Sequence, residues 1–240
     1  MRTVIIALAG MLALSGCIKD PLCIRGEGPI VTEILTLDEI RSLNLQSSFD
    51  VYVKYGPVQE VKAIGHGNII DQLETNVVGK QWNISLGQGC FYRFDLEIHI
   101  TLPLVEALKN TGSGDLMADD LTGTHEMEIR IDGSGDIEMK RLNGTEKIHY
   151  YNQGSGSFTG LESIEGLKEL TVRNSGSGKF YGFALRSDVC VVSVSGSGSA
   201  EVYARDMLEV SISGSGNVYY KGSPEIALHQ SGSGRLISRN

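Results

Sequence analysis

The chain has no excess of positive charge and, beyond its first residues, no long apolar segment. It carries 29 Asp and Glu side chains against 21 Lys and Arg. Loss of residues 1–16, which contain one basic residue, would leave 29 acidic against 20 basic side chains, a net charge of −9. Such a surface does not attract polyphosphate, which argues against binding of nucleic acid or anionic lipid through bulk charge. No later segment has the length of a transmembrane helix.

The chain also lacks the residue patterns that metal binding and catalysis require. The histidines show no metal-ligand spacing, and no nucleophile-elbow serine stands apart from the repeat described below. Asp115 and Asp136 are predicted to stack, but two carboxylates are too few for a calcium site. We therefore predict no cofactor, no metal site and no catalytic residue.

What the chain does have is a repeat. Gly-Ser-Gly occurs seven times between residues 112 and 234, and successive copies start 21, 21, 22, 20, 18 and 18 residues apart. A near-constant period indicates one coil of a stacked array rather than a flexible linker. Apolar columns stay in register with the triplet, six and four residues before it and two residues after it. The columns alternate with polar positions, which is the period of a strand with one buried face.

The period selects among repeat folds. Propeller blades need about 40 residues, and the leucine-rich consensus around Leu167 is missing from the other copies. We therefore predict an all-β fold, a right-handed parallel β-helix built on the Gly-Ser-Gly repeats. Glycine suits a tight corner, through positive φ or close backbone approach. The middle serines are expected to form a structural ladder with hydroxyls able to bond neighbouring coils: Ser113, Ser134, Ser155, Ser177, Ser197, Ser215 and Ser233.

The N-terminus predicts export. An apolar run from Val4 to Leu14 follows Arg2 and has the form of a signal peptide. It ends in Leu14-Ser15-Gly16-Cys17, which resembles the bacterial lipobox, so residues 1–16 are predicted to be a lipoprotein signal peptide and Cys17 the lipidated residue. A simple secretory signal is the less favoured alternative. Acyl chains on Cys17 would hold the protein to a membrane. Ile18 resembles the sorting residue of outer-membrane lipoproteins, and the sequence leaves open a periplasmic or surface-facing position.

Three cysteines follow Cys17, and disulfides between cysteines persist in exported proteins. Cys23 and Cys90 flank the segment without triplets and are predicted to pair, which would tie the lipidated tether to the folded domain. Cys190 falls in a buried column and is predicted to be a small core residue.

The rest of the chain is divided by the presence of the triplet. Residues 17–29 are predicted to form the tether, 30–104 a β-rich segment packed on one end of the rod, and 105–240 the β-helix repeats. The segment 68–74 is expected to form a helical turn with Asn68 as its cap. The last coil has no obvious capping domain and is a predicted surface for self-association.

A family resemblance brings several of these motifs together. The lipobox, Cys23 to Gly28, Ser48-Phe49-Asp50-Val51-Tyr52-Val53 and the Gly-Ser-Gly-Asp repeats resemble the putative auto-transporter adhesin, head GIN domain family. The resemblance covers essentially the whole chain after the signal peptide. It implies a right-handed β-helix and a cell-envelope location, and it brings no catalytic motif.

The sequence therefore favours a lipid-anchored envelope protein that binds rather than catalyses. Arg130, Tyr151 and Arg173 each stand three residues before a triplet and are predicted to form an outward column that could bind a glycan or a protein. A solvated face of mixed polarity is the ordinary alternative. Two other functions stay open: a carbohydrate-active enzyme such as a polysaccharide lyase or hydrolase, since β-helices carry such activities, and a structural or self-assembling envelope component.

Overall fold

The computed structural model describes residues 23–164 and 166–240, and 59% of it is strand against 2% helix. Cys17 and the signal peptide lie outside the described residues. The strands in chain order are β1 (Ile24–Arg25), β2 (Ile30–Leu35), β3 (Ser42–Leu45), β4 (Asp50–Tyr55), β5 (Glu60–His66), β6 (Val77–Val78), β7 (Gln81–Ile84), β8 (Phe91–Tyr92), β9 (Leu96–Leu102), β10 (Val105–Asn110), β11 (Leu116–Ile131), β12 (Ile137–Asn143), β13 (Lys147–Asn152), β14 (Phe158–Gly160), β15 (Glu169–Asn174), β16 (Phe180–Val194), β17 (Ala200–Ile212), β18 (Val218–Lys221), β19 (Glu225–Gln230) and β20 (Leu236–Ser238).

The strands stack as parallel coils, so the predicted β-helix, a parallel β-solenoid, is confirmed. Strand segments just before the triplets pair with one another and form what we call the pre-triplet face, in the order β7, β3, β10, β11, β13, β15, β16, β17 and β19. Segments just after the triplets form the post-triplet face, in the order β9, β4, β11, β12, β14, β16, β17, β18 and β20.

The core lies between these faces and is filled by the predicted apolar columns. The column two residues after the triplet is buried from Leu116 through Val218. Its two phenylalanines, Phe158 and Phe180, stack with ring centroids 5.2 Å apart, and Tyr150 of the opposite face lies 4.6 Å from Phe180. Cys190 is a free, fully buried cysteine in the same core, as predicted. Burial of these aromatic rings is a major source of stability for the rod.

At the first and last repeat coils, some positions of the predicted apolar columns are not buried. A register irregularity between Val105 and Ala107 turns Glu106 outward, so that Val105 is buried in its place. On the last pre-triplet strand, β19, the column residues Ile226 and Leu228 are 40% and 48% exposed, because no further coil packs on them in the described chain. Self-association through this coil stays a prediction.

The triplet glycines are required by close approach and not by backbone angle. None of them is among the glycines with positive φ. Instead each lies against the backbone of the preceding coil: a Cβ on Gly133 would overlap the Gly112 carbonyl oxygen, and a Cβ on Gly135 would overlap that of Gly114. Of the two reasons that the sequence offered for glycine, the structure supports close backbone approach.

The middle serines of all seven triplets are exposed. Their coils are joined through the backbone, since the amide of Ser134 donates to the Gly112 carbonyl and that of Ser155 to the Gly133 carbonyl, both at 2.9 Å. Within the described residues, none of the seven hydroxyls makes a hydrogen bond to protein, so the expected bonding of hydroxyls to neighbouring coils is replaced by a backbone ladder.

Buried asparagine side chains form hydrogen bonds to the backbone at the corners made by several of the triplets. The side-chain amides of Asn110, Asn152 and Asn174 each donate to the carbonyl of the last glycine of their own triplet, at 2.8, 2.7 and 2.8 Å. All three residues are buried. The corner carbonyl therefore keeps a hydrogen-bond partner where water cannot reach it.

The N-terminal segment supplies coils of its own, and they do not stack in chain order. The coil of β3 and β4 pairs directly with β10 and β11, while the later strands β7 and β9 lie outside it. Two antiparallel strands, β5 and β2, then extend the post-triplet face beyond β9. Hydrogen bonding thus runs without a break past residue 105, and the division of the chain at that residue stays a prediction.

The predicted helical turn is present but begins earlier. Helix α1 spans Gly67–Ile70, and His66, not Asn68, occupies the N-cap position. The Asn68 side chain instead holds the tether: it donates to the Arg25 carbonyl at 2.7 Å and accepts from the Glu27 amide at 3.0 Å. In the described parts of the chain, no helix has the length and apolarity needed to cross a membrane.

Candidate ligand-binding faces

The predicted column is formed on the pre-triplet face. Arg130 pairs with Tyr151, and Tyr151 with Arg173, on three consecutive coils. Neighbouring strands lie about 4.8 Å apart, so the three side chains are evenly spaced along the rod. They point outward because the residues before and after them in each strand are buried. The sequence therefore placed these residues together correctly; whether they bind a ligand stays a prediction.

The two arginines of the column are held differently. Arg130 Nε donates to Asp132 Oδ2 at 2.6 Å, and this hydrogen bond raises the pKa of the Arg130 guanidinium. Arg173 lies over the Tyr151 ring, 5.6 Å from its centroid, as a cation–π pair. Among the described residues, no carboxylate oxygen lies within 4.0 Å of Arg173. Arg173 and Tyr151 thus present an uncompensated cation beside an aromatic ring, whereas the Arg130 charge is balanced locally.

The outward aspartates on the post-triplet face have a structural use. Asp115 accepts a hydrogen bond from the Asp136 amide at 2.8 Å, and Asp136 accepts one from the Ser157 amide at 2.7 Å. Asn217 does the same for the Arg235 amide at 2.8 Å. At these three positions, the side chain that follows the triplet thus accepts a hydrogen bond from the next coil. In the described residues, no group of three or more His, Cys, Asp or Glu could hold a metal ion.

A second outward column, which the sequence reasoning did not assemble, runs along the post-triplet face. Its residues stand three positions after the last glycine of each triplet and pair in register: Met117, Glu138, Thr159, Tyr181, Glu201, Tyr219 and Ile237. Tyr52 and His99 continue it toward the N-terminal end. The sequence contains the signal for this column, because the triplet sets the register and these residues keep a constant spacing from it.

Two depressions open along this column. The larger, about 510 Å³, lies beside Tyr52 and His99, whose rings stack 4.8 Å apart. Burial, followed by the charges of Asp50, Glu97 and Asp115, raises the pKa of the Tyr52 hydroxyl. The smaller, about 240 Å³, lies between Tyr181 and Tyr219. Both combine aromatic walls with charged side chains.

The predicted disulfide is present, and it closes the N-terminal end of the domain. Cys23 and Cys90 are bonded, with their Cα atoms 4.5 Å apart. The adjoining strands β1 and β8 pair in parallel, Ile24 with Phe91 and Arg25 with Tyr92. The chain that enters from the predicted lipid site is therefore fixed covalently to the domain six residues after Cys17.

These features match a known family. The family model described as "Putative auto-transporter adhesin, head GIN domain" matches residues 39–224. The chain belongs to this adhesin family. The match spans the coils from β3 to β18, so it includes the first outward column and all of the second except Ile237. No curated protein matches the chain.

Solved structures share the fold of this adhesin-family chain. A "putative adhesin" from Bacteroides fragilis is 22% identical, with a TM-score of 0.83 over 90% of this chain and 100% of that one. A "putative adhesin" from Parabacteroides distasonis is 19% identical, with a TM-score of 0.71 over 90% and 99%. A "putative lipid binding protein" from the same species is 20% identical, with a TM-score of 0.70 over 90% and 99%. At these identities the likeness concerns the fold.

Proposed function

We propose that this chain is a non-catalytic, adhesin-like protein, held at the cell envelope by acylation of Cys17, that binds an extended glycan along its pre-triplet face. The observation that carries the proposal is the in-register column of Arg130, Tyr151 and Arg173, with Arg173 stacked over the Tyr151 ring. A guanidinium offers several hydrogen-bond donors in a fixed plane, and a tyrosine ring offers an apolar face for a sugar.

The rigid scaffold favours a long ligand over a compact one. Parallel coils fix the column at about 4.8 Å intervals, so successive groups meet successive units of a polymer without a change in the backbone. Membership in an adhesin family is consistent with this use. The disulfide at Cys23 supports anchoring, because it would transmit a pull on the lipid directly to the domain.

The alternative of a carbohydrate-active enzyme finds less support. Hydrolysis requires a pair of carboxylic acids across a cleft, and a lyase requires acidic ligands for a cation and a strong base. The stacked Asp115 and Asp136 are instead occupied with backbone amides of the next coil. The Cys190 thiol is fully buried, and burial raises its pKa.

The test is a glycan-array measurement on the full-length chain in detergent micelles, with an assay for released products. We expect binding without turnover, and a loss of roughly tenfold or more in the variant combining Tyr151→Ala and Arg173→Ala, because each contact contributes about 0.5–2 kcal/mol. Glu209→Ala, on the same face but outside the column, is the matched control. Turnover would overturn the proposal, and so would equal binding by the column variant and the control.

A further inference from the structure

The smaller depression on the post-triplet face has the form of a sugar subsite. Tyr181 on β16 and Tyr219 on β18 border it, and Glu201 on the intervening strand β17 lies between them. All three side chains point outward, since Phe180, Ala200 and Val218 beside them are buried in the core. The register of three consecutive coils therefore fixes two aromatic walls and a carboxylate floor.

The strand spacing sets the distance between the strands that carry the two tyrosines. Two spacings separate the tyrosine-bearing strands, which is about 9.6 Å. A saturated ring in van der Waals contact with an aromatic ring on each side needs about 7–8 Å between those rings. A strand separation of about 9.6 Å therefore leaves room for one sugar ring between the two tyrosines, but not for two stacked sugar rings. The volume of about 240 Å³ leads to the same conclusion, since sites for whole small molecules typically occupy about 300–1,000 Å³.

The Tyr219 wall of the cleft is held by its neighbours. The Arg239 guanidinium lies 4.8 Å from the centroid of the Tyr219 ring. Asn217 Nδ2 donates to the Tyr219 hydroxyl at 3.4 Å. Tyr181 stands on the opposite side and is 37% exposed. A wall that is ordered before binding loses less conformational entropy when the ligand arrives.

The polar groups select the chemistry of the ligand. Glu201 is a hydrogen-bond acceptor, and within the described chain no Lys, Arg or His nitrogen lies within 4.0 Å of its carboxylate. Lys179 and Arg239, which are donors, line the same cleft. Hydroxyl groups both donate and accept, so adjacent hydroxyls of a sugar can satisfy the two kinds of group at once. An anion would face Glu201, a cation would face Lys179 and Arg239, and an alkyl chain would leave all three unpaired.

We propose that the cleft between Tyr181 and Tyr219 binds one pyranose ring of a neutral sugar, either a terminal unit or one unit of a longer chain. The ring stacks between the tyrosines, and its hydroxyls bond Glu201 and the flanking cations. This site lies on a different face from the Arg130 column and does not depend on ligand binding there.

The experiment is saturation-transfer NMR on the full-length chain in deuterated detergent micelles. The probes are the methyl glycosides of glucose, galactose and mannose, and hexanoate represents an alkyl carboxylate. We expect saturation of at least one glycoside and none of hexanoate. Tyr181→Ala and Glu201→Gln should each weaken that binding roughly fivefold or more, because each removes one of the contacts that define the cleft.

The controls separate this site from the rest of the surface. Tyr203→Ala removes an outward tyrosine on the same strand as Glu201 but outside the cleft, and it should leave the signal unchanged. The combined Tyr151→Ala and Arg173→Ala variant should also bind normally, so failure of the column proposal and failure of this one can be told apart. Circular dichroism verifies the fold of each variant. Saturation of no glycoside, preference for hexanoate, or equal loss in Tyr203→Ala would overturn the assignment.

Discussion

Gly156 lies directly against Gly135 of the preceding coil, so closely that a Cβ on Gly156 would overlap the Gly135 carbonyl oxygen. The same contact recurs between the last glycines of successive triplets along the rod. It allows the corners to stack at the strand spacing with no side chain between them. The stability of the rod at its corners therefore depends on glycine in a way that backbone angle alone does not explain.

Alanine at Gly156 is expected to destabilise the protein by about 1–3 kcal/mol or more, because the coils must separate locally to admit the methyl group. Ser155→Ala in the same triplet is the matched control and should stay within about 0.5 kcal/mol, since its side chain is exposed and its backbone bond to Gly133 remains. Urea unfolding followed by circular dichroism compares the two. Similar free energies of unfolding for both variants would contradict the stacking argument.

Asn152→Ala is expected to cost about 1–3 kcal/mol, because it leaves the Gly156 carbonyl at the buried corner without the amide that now donates to it at 2.7 Å. Gln153→Ala, at the exposed neighbouring position, should be close to neutral. The same unfolding measurement applies. If the two substitutions cost the same, the corner carbonyl has another partner and the role given to Asn152 is wrong.

Removal of the disulfide by the double substitution Cys23→Ser and Cys90→Ser is expected to lower stability by about 2–4 kcal/mol, since the bond closes a long loop in the unfolded chain. A reductant should lower the midpoint of thermal unfolding of the wild type. The double variant serves as the control, and its midpoint should not respond to reductant. A wild type that is equally indifferent to reductant would show that the bond contributes nothing.

Tyr150 gives a test by pH. Burial raises the pKa of its hydroxyl far above the ordinary value of 10.0. Above about pH 10 the unfolded chain loses this proton while the folded chain keeps it, so the stability that neutral Tyr150 contributes is present below that pH and falls by up to about 1.4 kcal/mol per pH unit above it. The free energy of unfolding of the wild type, relative to that of Tyr150→Phe, should therefore fall between pH 8 and pH 11, which is roughly the range on either side of the unfolded pKa. A constant difference in unfolding free energy across that range would refute the assignment.

Much of the fold and part of the candidate site could be read from the sequence. The triplet fixes a register, and alternation within each strand then assigns every neighbouring position to the core or to solvent. That is why the buried columns and the alignment of Arg130, Tyr151 and Arg173 were predictable. The prediction was wrong at the cap of α1, where Asn68 bonds the tether across a distance in sequence that local capping rules do not cover.

Other features depended on contacts between distant segments. The coil of β3 and β4 lies between β10 and β7, an order that no local pattern specifies, because strands without a triplet carry no register signal. The sequence also gave no indication that Arg130 would be paired with Asp132 while Arg173 would remain beside Tyr151. Both of these side-chain contacts depend on rotamers, which the register of the strands does not specify.

By itself, the sequence determined that this chain is a stack of β-coils with glycine corners, because a period of about 18–22 residues with alternating apolar positions admits few other arrangements. Only the tertiary structure decided the order of the N-terminal coils, the bonding of the corners through backbone amides and buried asparagines, and the meeting of Tyr181, Glu201 and Tyr219 around one cleft. Periodicity constrains each residue relative to its own strand, whereas a site requires groups from several strands to face the same space.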